Sequence, residues 1–262
     1  MKLAKVFKEN KQFTLFSILA LVVVGVAVFA PQIAPYDPLD AVMLESLQAP
    51  SSAHPFGTDK LGRDLLSRVI FGTRTSLVMT LCLVAVIFVI GTFLGIIAGY
   101  FGGIVDGVIM RIADMMISFP GLVLAIAIAG MLGPNLVNAV ISIAAVSWTK
   151  YARLARSLVM KIRDRDYVAA AVVTGSKTPY MLLRYMLPNA LPTLIITAAT
   201  DVGGMMLEIA ALSFLGFGAK PPTPEWGYML NEGRACMQSA PWMMLYPGLA
   251  IFLVVVVFNM LG

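Results

Sequence analysis

The side chains in this sequence that could carry out chemistry are few and widely separated. Its 262 residues include one histidine, His54, and two cysteines, Cys82 and Cys236. None of them has the spacing of a metal, redox or disulfide motif. General acid–base, nucleophilic and metal catalysis all depend on closer groupings than these. The sequence therefore predicts no catalytic residue and no metal site, and it predicts a solvated loop position for His54.

One segment, Gly175-Ser176-Lys177-Thr178, has a superficial likeness to a phosphate-binding loop. Such a loop requires glycine directly before the lysine and a β-strand before the loop. Here serine precedes Lys177, and no strand is predicted upstream. We therefore expect that the chain does not hydrolyse ATP itself.

Two acids, Asp201 and Glu208, lie in an apolar run at 191–214 and share one helix face. An acid inside a bilayer is costly, so we predict that both, with Met205 between them, line or gate a water-filled path. The alternatives are that they bond a neighbouring helix, or that Glu208 lies at the outer interface. Met205 and Met206 could ligate a metal, but 17 methionines in an apolar chain are mostly packing residues.

The helices that position these acids are predicted to lie in a membrane. Hydrophobic residues make up 59% of the chain and charged residues 13%, against about a quarter charged in soluble proteins. The fold class is therefore all-α and integral to the membrane. Runs of about 20 apolar residues predict six transmembrane helices. Their predicted bounds are 12–30, 75–100, 109–132, 136–154, 191–214 and 242–262.

Basic residues predict the orientation of these spans. The chain carries a net charge of +5, and its Lys and Arg concentrate in the tail 1–11 and around the loop 157–190. Such excesses belong on the cytoplasmic side, which places both chain termini there and explains the charge without nucleic acid. A cleavable signal peptide is the alternative for the N-terminus, but the apolar run is long and Pro31 would follow the cut.

The loops 31–74 and 215–241 are then extracytoplasmic. Within 56–74, apolar residues at helical spacing predict an interfacial helix, capped by Asp59 and supported by an Asp64–Arg68 pair at i,i+4.

Three glycines form one smooth stripe on the second predicted span. Gly91, Gly95 and Gly99 stand at i, i+4 and i+8, a spacing that lets another backbone approach closely. We expect this stripe to pack within the chain, with packing against a partner as the alternative.

The segment 167–189 is too polar to cross a bilayer and too regular for a slack loop. Residues 167–174 predict a short helix ended by Gly175 with a positive φ. A second helix is predicted to be capped by Thr178 and to end at Leu187, because Pro188 disfavours helical geometry before it. Its surface apolar residues must press against something outside the membrane.

This segment resembles the EAA motif of ABC-importer permeases, whose helix pair docks into the ATPase. Ala169 stands where the family usually has an acid, and Tyr185 stands where a histidine is common. The coupling residues implied by the resemblance are Tyr167, Ala169, Ala170, Ala171, Gly175, Tyr185, Leu187, Pro188 and Asn189.

The segments 56–77 and 212–234, with Pro35 to Pro38, resemble the second permease subunit of dipeptide, oligopeptide and nickel importers. The resemblance implies the six-helix type I permease fold in a bacterial inner membrane, and alternating access driven by ATP. It implies as partners a homologous permease, two cytoplasmic ATPases that hold ATP and Mg, and an extracytoplasmic binding protein. The chain itself would need no cofactor, and the substrate, peptide or nickel, stays open.

Two other classes of function remain as alternatives. A secondary transporter would use Asp201 and Glu208 as an ion relay, and would show an inverted repeat and uptake without an ATPase. A membrane scaffold would only anchor a soluble complex, and substrate would not stimulate ATP hydrolysis in its assemblies.

Overall fold

The computed structural model describes residues 11–261, and most of these residues are helical. A 3₁₀ turn, Met43–Glu45, lies in the first long loop, and a π-helical turn, Leu182–Met186, precedes α9. The helices are α1 Lys11–Val28, α2 Ala30–Ile33, α3 Leu65–Phe101, α4 Gly103–Ile117, α5 Gly121–Leu132, α6 Leu136–Arg163, α7 Asp166–Val173, α8 Thr178–Met181, α9 Leu187–Phe214, α10 Trp226–Arg234 and α11 Trp242–Leu261.

Four of the described helical stretches are long and apolar enough to cross a membrane: α1, α3, the continuous stretch Thr178–Phe214, and α11. A fifth is added if α4 and α5, bent by 90°, count as one broken span. Helix α6 is 28 residues long but carries five basic residues between Lys150 and Arg163. The chain is therefore a multi-pass membrane protein, and the count of six spans stays a prediction.

The first loop does not contain the separate helix that the sequence predicted. Residues Leu65–Phe101 form one helix of 37 residues, which contains both the end of the predicted interfacial segment and the predicted second span. The cap is Asp64, whose carboxylate accepts from the Ser67 N–H at 2.7 Å; the prediction of Asp59 was wrong. A carboxylate there satisfies a backbone N–H and complements the helix dipole.

The third predicted span is broken. Helix α4 ends at Ile117 and α5 begins at Gly121, at right angles to it. Pro120 occupies the N-cap of α5. Because proline has no N–H and clashes with a preceding turn, it cannot continue α4, and the chain changes direction there.

The longest helix contact, between α3 and α6, is made along the glycine stripe. A Cβ added at Gly91, Gly95 or Gly99 would come within 2.4, 2.3 and 2.8 Å of a main-chain oxygen of α6. Any side chain would have to push the two helices apart. The contact made by the stripe is therefore inside this chain.

The beginning of α3 is joined to α10 by a buried ionic network, which we call the clasp and define as Asp59, Arg63, Arg68 and Glu232. Arg63 donates to Asp59 at 2.6 Å and to Glu232 at 2.8 Å, and Arg68 donates to Glu232 at 2.7 Å. Both arginines are at most 2% exposed. The predicted Asp64–Arg68 pair is wrong, since Arg68 points to Glu232 and Asp59 instead.

An aromatic anchor lies beside the clasp. The Trp226 indole N–H donates to the Val69 carbonyl at 3.0 Å, and its ring fills the space over Gly72, where a Cβ would be 2.6 Å away. Glu225 caps α10 by accepting from the Gly227 and Tyr228 N–H groups. Burial raises the pKa of the Glu225 carboxyl, although these two N–H groups oppose the shift.

Candidate functional site

The corner between α7 and α8 is formed by backbone geometry. Gly175 has φ +84°, which confirms the predicted positive φ. The Gly175 N–H donates to Val172 and the Ser176 N–H to Ala171, each at 3.0 Å, the bond pair of a Schellman motif. Nothing lies within 4 Å of a Cβ placed on Gly175. Glycine is therefore favoured here by its conformation, not by lack of space.

The start of the second helix differs from the prediction. Lys177 precedes the helix, Thr178 is its first residue, and no side chain caps it. The predicted Thr178 cap is therefore wrong. Pro179 lies in the first turn, where its missing N–H leaves no helical bond unmade.

The end of this helix also differs, because it does not stop at Leu187. A π-helical turn closes with the Leu187 N–H bonded to the Leu182 carbonyl, and α9 continues directly from it. Pro188 thus falls in the first turn of α9, where proline is tolerated. Asn189 donates its side-chain amide to the Tyr185 carbonyl at 2.6 Å. The corner is consequently connected to a long helix without a hinge loop.

Tyr185 holds the helix pair together through aromatic contacts. Its ring centroid lies 6.1 Å from that of Tyr167 and 6.0 Å from that of Tyr180. Both distances are within the range of favourable aromatic pairs. A tyrosine at this position therefore packs the two short helices against each other.

The outer face of this corner is apolar and exposed. We call it the coupling surface. Val173 is 87% exposed and Tyr180 is 52% exposed, while Met181 and Met186 are fully buried. Ala169, Ala170, Pro188 and Asn189 are exposed around it, and Leu187 is half-buried. The coupling surface consists of Tyr167, Val172, Val173 and Tyr180.

The two predicted membrane acids lie on one cavity. Asp201 and Glu208 line it together with Met205, and its volume is about 380 Å³. Asp201 is buried and accepts from the Lys150 ammonium and from the Tyr151 hydroxyl at 2.8 Å. The structure therefore brings the predicted path residues together, and it gives Asp201 a partner on a neighbouring helix.

Sequence reasoning missed Lys150 as a member of this site. It was counted among the basic residues of the cytoplasmic side, yet it lies on α6 against Asp201. The available signal was a pair of opposite charges on two predicted spans: Lys150 lies near the end of the span 136–154, and Asp201 lies within the span 191–214.

Neither Met206 nor His54 lines this cavity. Met206 packs in a different apolar cluster, around Trp226, and does not line the cavity. His54 is buried, and its Nδ1 lies 2.8 Å from the Asp64 carboxylate, so the predicted solvated histidine is wrong. Within residues 11–261, no group of three or more His, Cys, Asp or Glu is placed to hold a metal ion.

Comparison with known proteins gives two family matches. Residues 91–262 match the binding-protein-dependent transport system inner membrane component, and residues 2–50 match the N-terminal TM domain of oligopeptide transport permease C. The inward-facing MetNI methionine ABC transporter has a similar fold, with a TM-score of 0.60 at 18% identity over 74% of this chain and 92% of that chain.

Curated relatives are similar over most of their length. The dipeptide transport system permease protein DppC of Alkalihalophilus pseudofirmus is 43% identical over 98% of this chain and 85% of the relative. The glutathione permease GsiD of Pectobacterium atrosepticum is 41% identical over 92% of this chain and 81% of the relative. The nickel permease NikC of Escherichia coli is 40% identical over 87% of this chain and 82% of the relative. This chain therefore belongs to the binding-protein-dependent transport system inner membrane components, as a permease subunit of an ABC importer of the dipeptide, oligopeptide and nickel type.

Proposed function

We propose that this chain is one of two homologous permeases that together form the membrane path of an importer for peptides or nickel. Two cytoplasmic ATPases, which hold ATP and Mg, would drive it, and an extracytoplasmic binding protein would deliver the substrate. The relatives named above are permeases for dipeptides, glutathione and nickel. The chain itself would carry no cofactor.

The observation that carries this proposal is the exposed coupling surface on a rigid corner. Apolar side chains as exposed as Val172 and Val173 are costly in water, and clustered ones mark contact sites. The corner passes through the π-helical turn into α9, which carries Asp201 and Glu208. A rigid-body push on the corner would therefore move the cavity wall, as alternating access requires.

The proposal includes an orientation of the chain in the membrane. The coupling surface would face the cytoplasm with both termini, and the clasp would face the opposite side, where the binding protein docks. The predicted basic tail lies outside the described residues except for Lys11.

The other two classes of function make different predictions. The relatives are permeases of transport systems, which favours neither the secondary transporter nor the scaffold. Uptake that continues without an ATPase would support the secondary transporter. Absence of substrate-stimulated ATP hydrolysis in a complete assembly would support the scaffold.

The test places a charge on the coupling surface. Val173→Asp should abolish co-purification of the ATPases and reduce ATP-dependent uptake by proteoliposomes about tenfold or more, since a charge opposes burial of this patch. Leu44→Asp is the matched control, because Leu44 is 96% exposed in the first loop, on the side predicted to be extracytoplasmic. If Val173→Asp binds the ATPases and transports as well as Leu44→Asp, the proposal is wrong.

A further inference from the structure

The cavity lined by Asp201 and Glu208 contains charges that do not balance. Its charged lining residues are Lys150, Asp201 and Glu208, one cation and two carboxylates. The remaining lining is apolar or neutral, including Met116, Phe119 and Ser147. The described wall of the cavity therefore carries an excess of one carboxylate.

The cation is already committed to Asp201. Lys150 forms an ion pair with one Asp201 oxygen, and the Tyr151 hydroxyl donates to the other at 2.8 Å. Both oxygens of this buried carboxylate therefore have donors. Asp201 holds α9 to α6 and has little capacity left for a ligand.

Glu208 is placed differently. It lies two helical turns from Asp201 on the same face, about 10 Å along the axis. Among residues 11–261, no side chain or backbone N–H forms a hydrogen bond or ion pair with its carboxylate. A half-buried carboxylate without a partner is costly in a membrane protein, and such residues usually serve a function.

We propose that Glu208 receives the positively charged group of the transported substrate, and that this group is an ammonium such as the free N-terminus of a peptide. This inference depends on the proposed function, because it places the substrate in the path between the two permeases. It goes further by naming one residue that selects for charge inside the membrane.

An ammonium fits the site better than a bare divalent metal. Nickel prefers several nitrogen, oxygen or sulfur ligands in a defined geometry. Here one free carboxylate and the Met205 thioether are available, and the described residues hold no larger ligand group. A single ammonium needs only one carboxylate and a few neutral acceptors, such as the Ser147 and Thr149 hydroxyls that also line the cavity.

The experiment uses the complete importer, purified with its partners and reconstituted in proteoliposomes. Uptake of a dipeptide with a free N-terminus should fall about tenfold in Glu208→Gln, because the substitution removes one charge-assisted hydrogen bond to the substrate. Glu208→Asp should stay within about threefold of the original, because it keeps the charge. ATP hydrolysis stimulated by the loaded binding protein should change less than about twofold, since the coupling surface is intact.

Asp40→Asn is the matched control. It neutralises an exposed carboxylate in the first loop, far along the chain from the cavity residues, and should leave uptake unchanged. Unchanged uptake in Glu208→Gln would overturn the proposal, as would equal losses in Glu208→Gln and Glu208→Asp. Failure of ATP-dependent uptake in the unmodified assembly would instead overturn the proposed function. Uptake of Ni²⁺ but not of dipeptide, with the same dependence on Glu208, would overturn the assignment of an ammonium, because Glu208 would then receive a metal cation.

A second measurement needs no substrate. With Cys82 and Cys236 replaced by alanine, Met205→Cys places one thiol on the cavity wall. A cationic thiol reagent should then modify it faster than an anionic one of the same size, and adding Glu208→Gln should remove most of that preference. Equal rates for both reagents while Glu208 is present would overturn the proposal even if the uptake variants fail to assemble.

Discussion

The clasp and the coupling surface use their side chains in opposite ways. In the clasp, four charged residues bond one another and both arginines are almost completely buried. On the coupling surface, apolar side chains are exposed and Val173 is 87% accessible. The charged groups of the clasp pair with one another within this chain, whereas an exposed apolar patch gains free energy only when another molecule covers it.

Three substitutions test this difference between the clasp and the corner, and the largest effect is expected in the clasp. Arg68→Ala removes one of two arginines that face Asp59 and Glu232, which leaves a buried negative charge uncompensated. The free energy of unfolding should fall by about 3–5 kcal/mol, as is typical when one partner of a buried ion pair is lost. Thermal denaturation in detergent measures it.

The control for this substitution is Arg153→Ala. Arg153 pairs with Asp114, and both side chains are about half exposed, at 46% and 59%. Such a pair contributes about 1 kcal/mol or less. Equal destabilisation by the two substitutions would mean that burial does not distinguish the clasp from surface pairs.

A smaller effect on stability, but a large one on transport, is expected at the corner. Gly175→Val forces a β-branched residue to φ +84°, a local cost of about 1–2 kcal/mol, with no clash because nothing lies within 4 Å. The protein should insert and remain folded, while ATP hydrolysis becomes uncoupled from uptake. The rates of ATP hydrolysis and of uptake, measured in the same proteoliposomes, give the coupling ratio, which is the uptake per ATP hydrolysed.

Gly107→Val provides the comparison for the corner. Gly107 is exposed within α4, has ordinary helical geometry, and also has nothing within 4 Å of an added Cβ. Its coupling ratio should be unchanged. If the coupling ratio of Gly175→Val is also unchanged, the conformation of the corner does not couple ATP hydrolysis to uptake.

The smallest effect is expected from Ala169→Glu, which introduces the acid that the motif usually has. Ala169 is exposed in the first turns of α7, where a negative charge interacts favourably with the helix dipole by about 0.3–1 kcal/mol. Thermal stability should rise slightly, and affinity for the ATPases should change by less than about threefold. A large gain in ATPase binding would show that the apolar coupling surface alone is an incomplete contact.

The features that local sequence predicts best are those decided by neighbouring residues. The Gly175 corner follows from a helix pattern that stops at a glycine, and its positive φ is confirmed. The placement of Asp201, Met205 and Glu208 on one face follows from helical periodicity, and all three line one cavity. In both cases the deciding interactions are within about two helical turns.

The features that were wrong depend on what surrounds the helices. Pro188 was expected to end a helix, but the π-helical turn before it lets the chain continue into α9. Asp59 was expected to cap α3, but it is occupied by Arg63 in the clasp. The sequence near either residue contains no sign of the partner that overrides the local preference.

By itself, the sequence determined that this is a helical membrane chain, where its corner lies, and which family it resembles, because composition, periodicity and glycine geometry are local properties. Tertiary structure alone decided that Arg63 meets Glu232, 169 residues away, and that Lys150 pairs with Asp201, while Glu208 has no such partner among residues 11–261. Charge pairing across that separation depends on how helices pack, and helix packing is set by the whole chain.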